Sequence, residues 1–143
     1  MKEKNRIQLV MRNCSENEGL ARTVAAAFAA QADPTMAALT EIKTAVSEAV
    51  SNAVIHAYGP EEDGEIILRA QWAKDGRLLF EVEDFGKGIA DVKQAMEPLF
   101  TTGGEERSGM GFTVMESFMD KVTVESKPGK GTRVTLVKIP DGV

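Results

Sequence analysis

The sequence holds a single cysteine, Cys14, so no internal disulfide can form and a zinc site built on several thiolates is excluded. That usage fits a reducing compartment, and a cytoplasmic location is expected. The single histidine, His56, leaves little room for a Ser-His-Asp triad or for a metal shared between histidines. No run approaches the roughly 20 apolar residues that span a bilayer. The polar start, Met1 to Arg6, has no apolar stretch behind it, so neither a membrane span nor a secretory signal is expected. Basic residues are in deficit: 17 Lys and Arg against 22 Asp and Glu leave a net charge of −5, which disfavours direct, sequence-independent binding to nucleic acid. Internal repeats, low-complexity tracts and interdomain linkers are missing as well.

What is present is the composition of an ordinary globular chain, 43% hydrophobic and 27% charged over 143 residues, enough for one domain over 1–143 around one core. Ile7, Leu9 and Met11 alternate with polar neighbours, which predicts a strand over Ile7 to Arg12. Ser15-Glu16-Asn17-Glu18 has the spacing of a capping box, and the helix it opens runs through Leu20, Val24 and Phe28 towards Asp33-Pro34. A longer helix is expected from Thr35 to about Tyr58, with Leu39, Ile42, Val46, Val50 and Val54 as its apolar stripe, ended by Gly59-Pro60.

Two strands follow, Glu65 to Trp72 and Leu78 to Asp84, joined through Asp75-Gly76, a pair suited to a tight hairpin turn. From Phe85 to Gly111 the chain carries six glycines and one proline, with a short helical candidate around Ala90 to Met96, and reads as a long functional loop. A buried helix over Phe112 to Met119 and two strands, Lys121 to Ser126 and Thr132 to Val137, complete the chain. This order predicts an α/β (α+β) fold: a two-layer sandwich of a mixed β-sheet with helices on one face.

Glu48 and Asn52 lie four residues apart on the long helix, one above the other on one face, and His56 continues the row. All three flank the apolar stripe instead of opposing it. Taken alone the pair reads first as an ordinary polar flank of the helix, and only in company as two groups aimed at one ligand. Asp84 ends the more apolar row of its strand, after Leu78, Phe80 and Val82. A carboxylate in that register needs a donor, either a local backbone amide or a ligand amine, unless the strand has already ended at Glu83.

Gly86 and Gly88 then allow backbone to approach a ligand closely. Ser108-Gly109-Met110-Gly111 stands just before a helix, where amides and the positive helix end favour an anion such as phosphate. Neither the P-loop nor the dinucleotide fingerprint occurs, so a bound nucleotide implies another fold.

Together, Glu48-Ala49-Val50-Ser51-Asn52, Asp84-Phe85-Gly86-Lys87-Gly88, Gly109-Met110-Gly111 and Gly131-Thr132 stand in the order of the boxes of the gyrase, Hsp90, histidine-kinase and MutL ATPase superfamily. Within it the chain resembles the anti-sigma factor serine kinases. The stretches Pro98-Leu99-Phe100-Thr101-Thr102 and Glu106-Arg107-Ser108-Gly109-Met110-Gly111-Phe112 are most similar to the sporulation anti-sigma F branch.

The resemblance implies a Bergerat-type ATP-binding fold, in which Glu48 is general base on the substrate hydroxyl and Asn52 coordinates the Mg²⁺ on the phosphates. It implies that Asp84 accepts from the adenine amine with Thr132 supporting the same ring through water, and that Gly86 and Gly88 form the pocket wall. The Pro98 to Gly109 stretch would be a lid, with Thr101, Thr102, Ser108, Gly109 and Gly111 at the nucleotide. The implied partners are a sigma factor of the sigma F type, an anti-anti-sigma protein phosphorylated on serine, and a second copy of the chain. Arg22 matches a family position that touches both protein partners, and Arg107 faces phosphate or partner.

Overall fold

The computed structural model describes residues 2–59, 63–89, 91–92, 96 and 111–139. Among them run β1 (Glu3–Arg12), α1 (Glu16–Ala30), α2 (Met36–Asn52), β2 (Glu65–Ala73), β3 (Leu78–Asp84), α3 (Gly111–Phe118), β4 (Lys121–Lys127) and β5 (Gly131–Lys138). The five strands form one sheet in the order β1-β2-β3-β5-β4, and the apolar faces of the helices pack on one side of it. The two-layer α+β sandwich is therefore as expected.

The mixed character is not: all four pairings are antiparallel. The pairs β2/β3 and β4/β5 are hairpins, and two helices between β1 and β2 return the chain in the opposite sense. Strands β3 and β4, linked across a single described helix, do run the same way, but β5 lies between them and removes the parallel contact.

Register builds the inner face in rows across the sheet. Ile7, Ala70, Phe80, Leu136 and Val122 form one, and Leu9, Leu68, Val82, Val134 and Val124 the next. These rows carry much of the core, with Phe28 of α1 meeting Phe80 edge to face at 6.4 Å between ring centres. The third row, Met11, Ile66, Asp84, Thr132 and Ser126, starts apolar and turns polar on β3, β5 and β4. The polar end of that row places chemistry at one margin of an otherwise apolar face.

Local signals met mixed fates. Thr35 caps α2 as its extended backbone allows, accepting the Ala38 amide at 3.1 Å. The capping box at Ser15 does not form: Ser15 already has helical dihedrals, φ −63° and ψ −28°, and its side chain makes no cap bond. A serine oxygen reaches the amide two or three residues on only from a non-helical backbone, and here it lies 3.4 Å from Glu16 Oε1 instead. The long helix predicted to Tyr58 is regular to Asn52 and then widens into a π-type turn over Ala53–Ala57. Gly76 takes the positive φ, 98°, expected of the hairpin. Of the helical candidate at Ala90 to Met96, only residues 91, 92 and 96 are described, Met96 N donating to Val92 O at 3.1 Å. No described helix is long and apolar enough to cross a membrane.

Candidate functional site

Two clusters of the sequence-predicted residues can be located. The first lies where α2 meets α3. Asn52 is the last residue of α2 before the π-type turn, a wider winding that recurs at functional sites, and Glu48 is one turn back on the same face. Gly111, the first residue of α3, sits against both. A β-carbon built on Gly111 would stand 3.1 Å from Asn52 Nδ2 and 3.2 Å from Glu48 Oε2. The structure thus brings a carboxylate, a carboxamide and the amino end of a helix to one place. His56 lies within the turn that follows.

The second cluster is the polar end of the third row. Asp84 is buried, 6% exposed, and is the one buried polar or charged side chain among the described residues. Burial pushes its carboxyl above the ordinary aspartate value, against the backbone amides of Gly86, 3.0 Å away, and Thr132, which favour the charged form. The strand therefore runs through Asp84 and does not end at Glu83, and local amides supply part of what a carboxylate in that buried register needs.

The glycines beside it admit the protein's own backbone. At Gly86 a β-carbon would lie 2.0 Å from the Ala57 carbonyl oxygen, which also accepts the Lys87 amide at 2.8 Å. Gly88 has φ 76° and faces the Lys127 carbonyl, while the next turn donates Gly129 N to Lys87 O at 2.7 Å. The Asp-Phe-Gly-Lys-Gly segment is consequently laced to the end of the α2 turn on one side and to the β4-β5 turn on the other.

Two residues in this lacing were not singled out from the sequence. Tyr58 accepts the Phe85 amide at 2.8 Å and donates to Glu65 O at 2.7 Å, and burial raises its phenol, so it stays a neutral donor. Ser126 meets Thr132, Gly131 and Ile89 through its one hydroxyl. For Ser126 a signal existed, since Val122, Val124 and Ser126 alternate like the strand that ends in Asp84.

Arg22 stands on α1, ion-paired with Glu18 at 3.5 Å, and Glu18 accepts Ser47 Oγ of α2 at 2.6 Å. Thr101, Thr102, Arg107, Ser108 and Gly109 lie outside the described residues. Among the described residues no group of three or more His, Cys, Asp or Glu could hold a metal by itself.

A family model described as the histidine kinase-like ATPase domain matches residues 13–138. An anti-sigma F factor of Caldanaerobacter subterraneus subsp. tengcongensis is 55% identical over 96% of this chain and 96% of its own length. That of Pasteuria penetrans is 51% identical over 95% and 91% respectively. Among solved structures, the RsbU and RsbW domains of Rv1364c from Mycobacterium tuberculosis superpose with a TM-score of 0.72 at 20% identity, over 96% of this chain and 33% of that one. The histidine kinase domain of the blue-light activated kinase of Erythrobacter litoralis gives 0.59 at 21% identity, over 86% of this chain and 61% of that one. These two likenesses are of fold, and the chain spans about a third of the first.

Proposed function

From a chain that belongs to the histidine kinase-like ATPase domain family, and within it to the anti-sigma F factors, we propose a protein-serine kinase that also sequesters its sigma factor. The kinase uses Mg-ATP to phosphorylate a serine of an anti-anti-sigma protein, which thereby loses its hold and leaves a sigma factor of the sigma F type captured. It works as a homodimer. The observation that carries the reading is the meeting of Glu48, Asn52 and Gly111 at one end of α3, with Asp84 buried at the polar margin of the sheet's inner face.

In the transfer, the substrate serine oxygen forms a bond to the γ-phosphorus while the bond from that phosphorus to the β–γ bridging oxygen breaks. ADP leaves with that electron pair, and the serine proton passes to the Glu48 carboxylate. Asp84 accepts from the adenine amine, Thr132 supports the same edge, and Gly86 and Gly88 wall the base. Gly111, with Gly109, Ser108, Thr101 and Thr102, belongs to the phosphate end; Arg22 faces the partners, and Arg107 serves phosphate or partner. Magnesium takes oxygen ligands and keeps most of them from phosphates and water. The Asn52 carboxamide oxygen fits as its protein ligand, and the bound ion would supply neutralisation of phosphate charge. Transfer then rests on positioning and charge, as phosphoryl transfer generally does.

The deciding experiment is transfer of labelled γ-phosphate from Mg-ATP to a candidate anti-anti-sigma protein, with sigma-factor capture measured beside it. Label on serine is expected. Capture and ATP binding with no label would instead support a nucleotide-gated binding module without catalysis.

A further inference from the structure

Ser126 lies at the end of β4, directly across from Thr132 in the β4-β5 register, and Thr132 is in turn across from Asp84. Its hydroxyl oxygen accepts the Ile89 amide at 2.7 Å, donates to Gly131 O at 2.9 Å and lies 2.8 Å from Thr132 Oγ1. A serine hydroxyl carries one proton. With that proton on the Gly131 carbonyl, the contact with Thr132 has to be donated by Thr132. The single proton of Thr132 is then committed to Ser126, and its oxygen keeps only lone pairs for anything bound beside Asp84. Asp84, when ionised, is likewise acceptor only.

We infer that Ser126 is a positioning residue for base selection: by holding the Thr132 proton it makes the Asp84-Thr132 edge acceptor-only, fit for a ring amine and hostile to a ring oxo group. This rests on the adenine site proposed above. A purine with an amine at C6 offers donors to such an edge, whereas hypoxanthine offers an oxygen that meets lone pairs on both sides. A site left with unpaired polar groups rejects the wrong ligand more strongly than one that lacks a contact.

The test compares affinities of the full chain for ATP and ITP by titration calorimetry in wild type, Ser126→Ala, Ser126→Thr, Thr132→Val and the double variant Ser126→Ala with Thr132→Val. Ser126→Ala frees the Thr132 proton to turn and donate to an oxo group, so the ATP:ITP affinity ratio should fall by about tenfold. Ser126→Thr keeps a hydroxyl and should keep the ratio. In the Thr132→Val background the Ser126→Ala change should leave the ratio where Thr132→Val alone puts it.

A parallel loss of affinity for both nucleotides, with the ratio intact, would overturn the inference while leaving the adenine site standing; that is what a merely structural serine gives. Failure of wild type to bind ATP at all would instead overturn the adenine site itself. Should Ser126→Ala not fold, the near-isosteric Thr132→Val keeps the inference falsifiable: it removes the Thr132 lone pairs, so an ATP:ITP ratio unchanged from wild type would show that the edge is not acceptor-only and would overturn the inference.

Discussion

Gly86 is packed so tightly against Ala57 that a β-carbon on it would stand 2.0 Å from the Ala57 carbonyl oxygen, the acceptor of the Lys87 amide at 2.8 Å. The oxygen belongs to backbone and is pinned by that hydrogen bond, so it has little freedom to yield. This contact ties the segment after Asp84 to the turn that follows Asn52, joining the two clusters of the site.

Gly86→Ala should accordingly cost stability by about 1–3 kcal/mol, as overpacking does. Urea unfolding followed by circular dichroism reads this as a lower midpoint with the slope unchanged. Wild-type stability in the variant would mean that the two segments are not held in contact.

Glu48→Gln keeps shape and removes the proton acceptor. ATP affinity should stay within about twofold, while label transfer to the anti-anti-sigma protein should fall roughly 10²- to 10⁴-fold, the usual worth of a general base. Equal transfer by the two proteins would sink the assignment of Glu48 as base.

Much of the fold was legible because period and punctuation agreed: the alternation of β3, the Asp75-Gly76 turn and the stripe of α2 all appear where residue spacing puts them. Strand pairing was not, since whether β5 inserts between β3 and β4 depends on contacts distant in sequence. The capping box failed because the serine motif specifies a side chain and not the dihedrals it needs. At the site, register alone leaves Asp84 open between a buried strand end and a turn until Gly86 and Gly88 are read with it, and helical spacing puts Glu48 and Asn52 on one face without telling a ligand site from a polar flank. Ser126 was legible from the alternation of its strand, whereas Tyr58 was hidden because Phe85, whose amide it accepts, comes to it only through tertiary packing.

Asn52→Ala should weaken ATP binding only where magnesium is present. Loss of a ligand to a charged group corresponds to roughly 10- to 100-fold in affinity. Calorimetric titration with excess magnesium and again with EDTA separates the two arms: the variant should match wild type in EDTA and fall below it with the metal. An unchanged affinity in magnesium would refute the metal role.

Asp84 supplies a pH test with a definite sign. Its carboxyl sits above the ordinary 3.8, chiefly through burial, so the native chain holds that proton more tightly than the unfolded chain. Stability from this group is greatest below the unfolded value and is lost as pH rises through the raised folded value, the reverse of a salt-bridged aspartate. Relative to Asp84→Asn, the ligand-free protein should therefore lose stability as pH climbs above 3.8, levelling off once the native carboxyl is ionised.

Nucleotide binding should move the other way over the same window, because only the ionised carboxylate is a full acceptor for the adenine amine. Urea midpoints and ATP affinities, each taken as the difference from Asp84→Asn so that the ligand's own titration cancels, check both arms. Stability and affinity rising together with pH would show that Asp84 ionises without cost in the free protein, and would remove burial as the reason a ligand amine is wanted there.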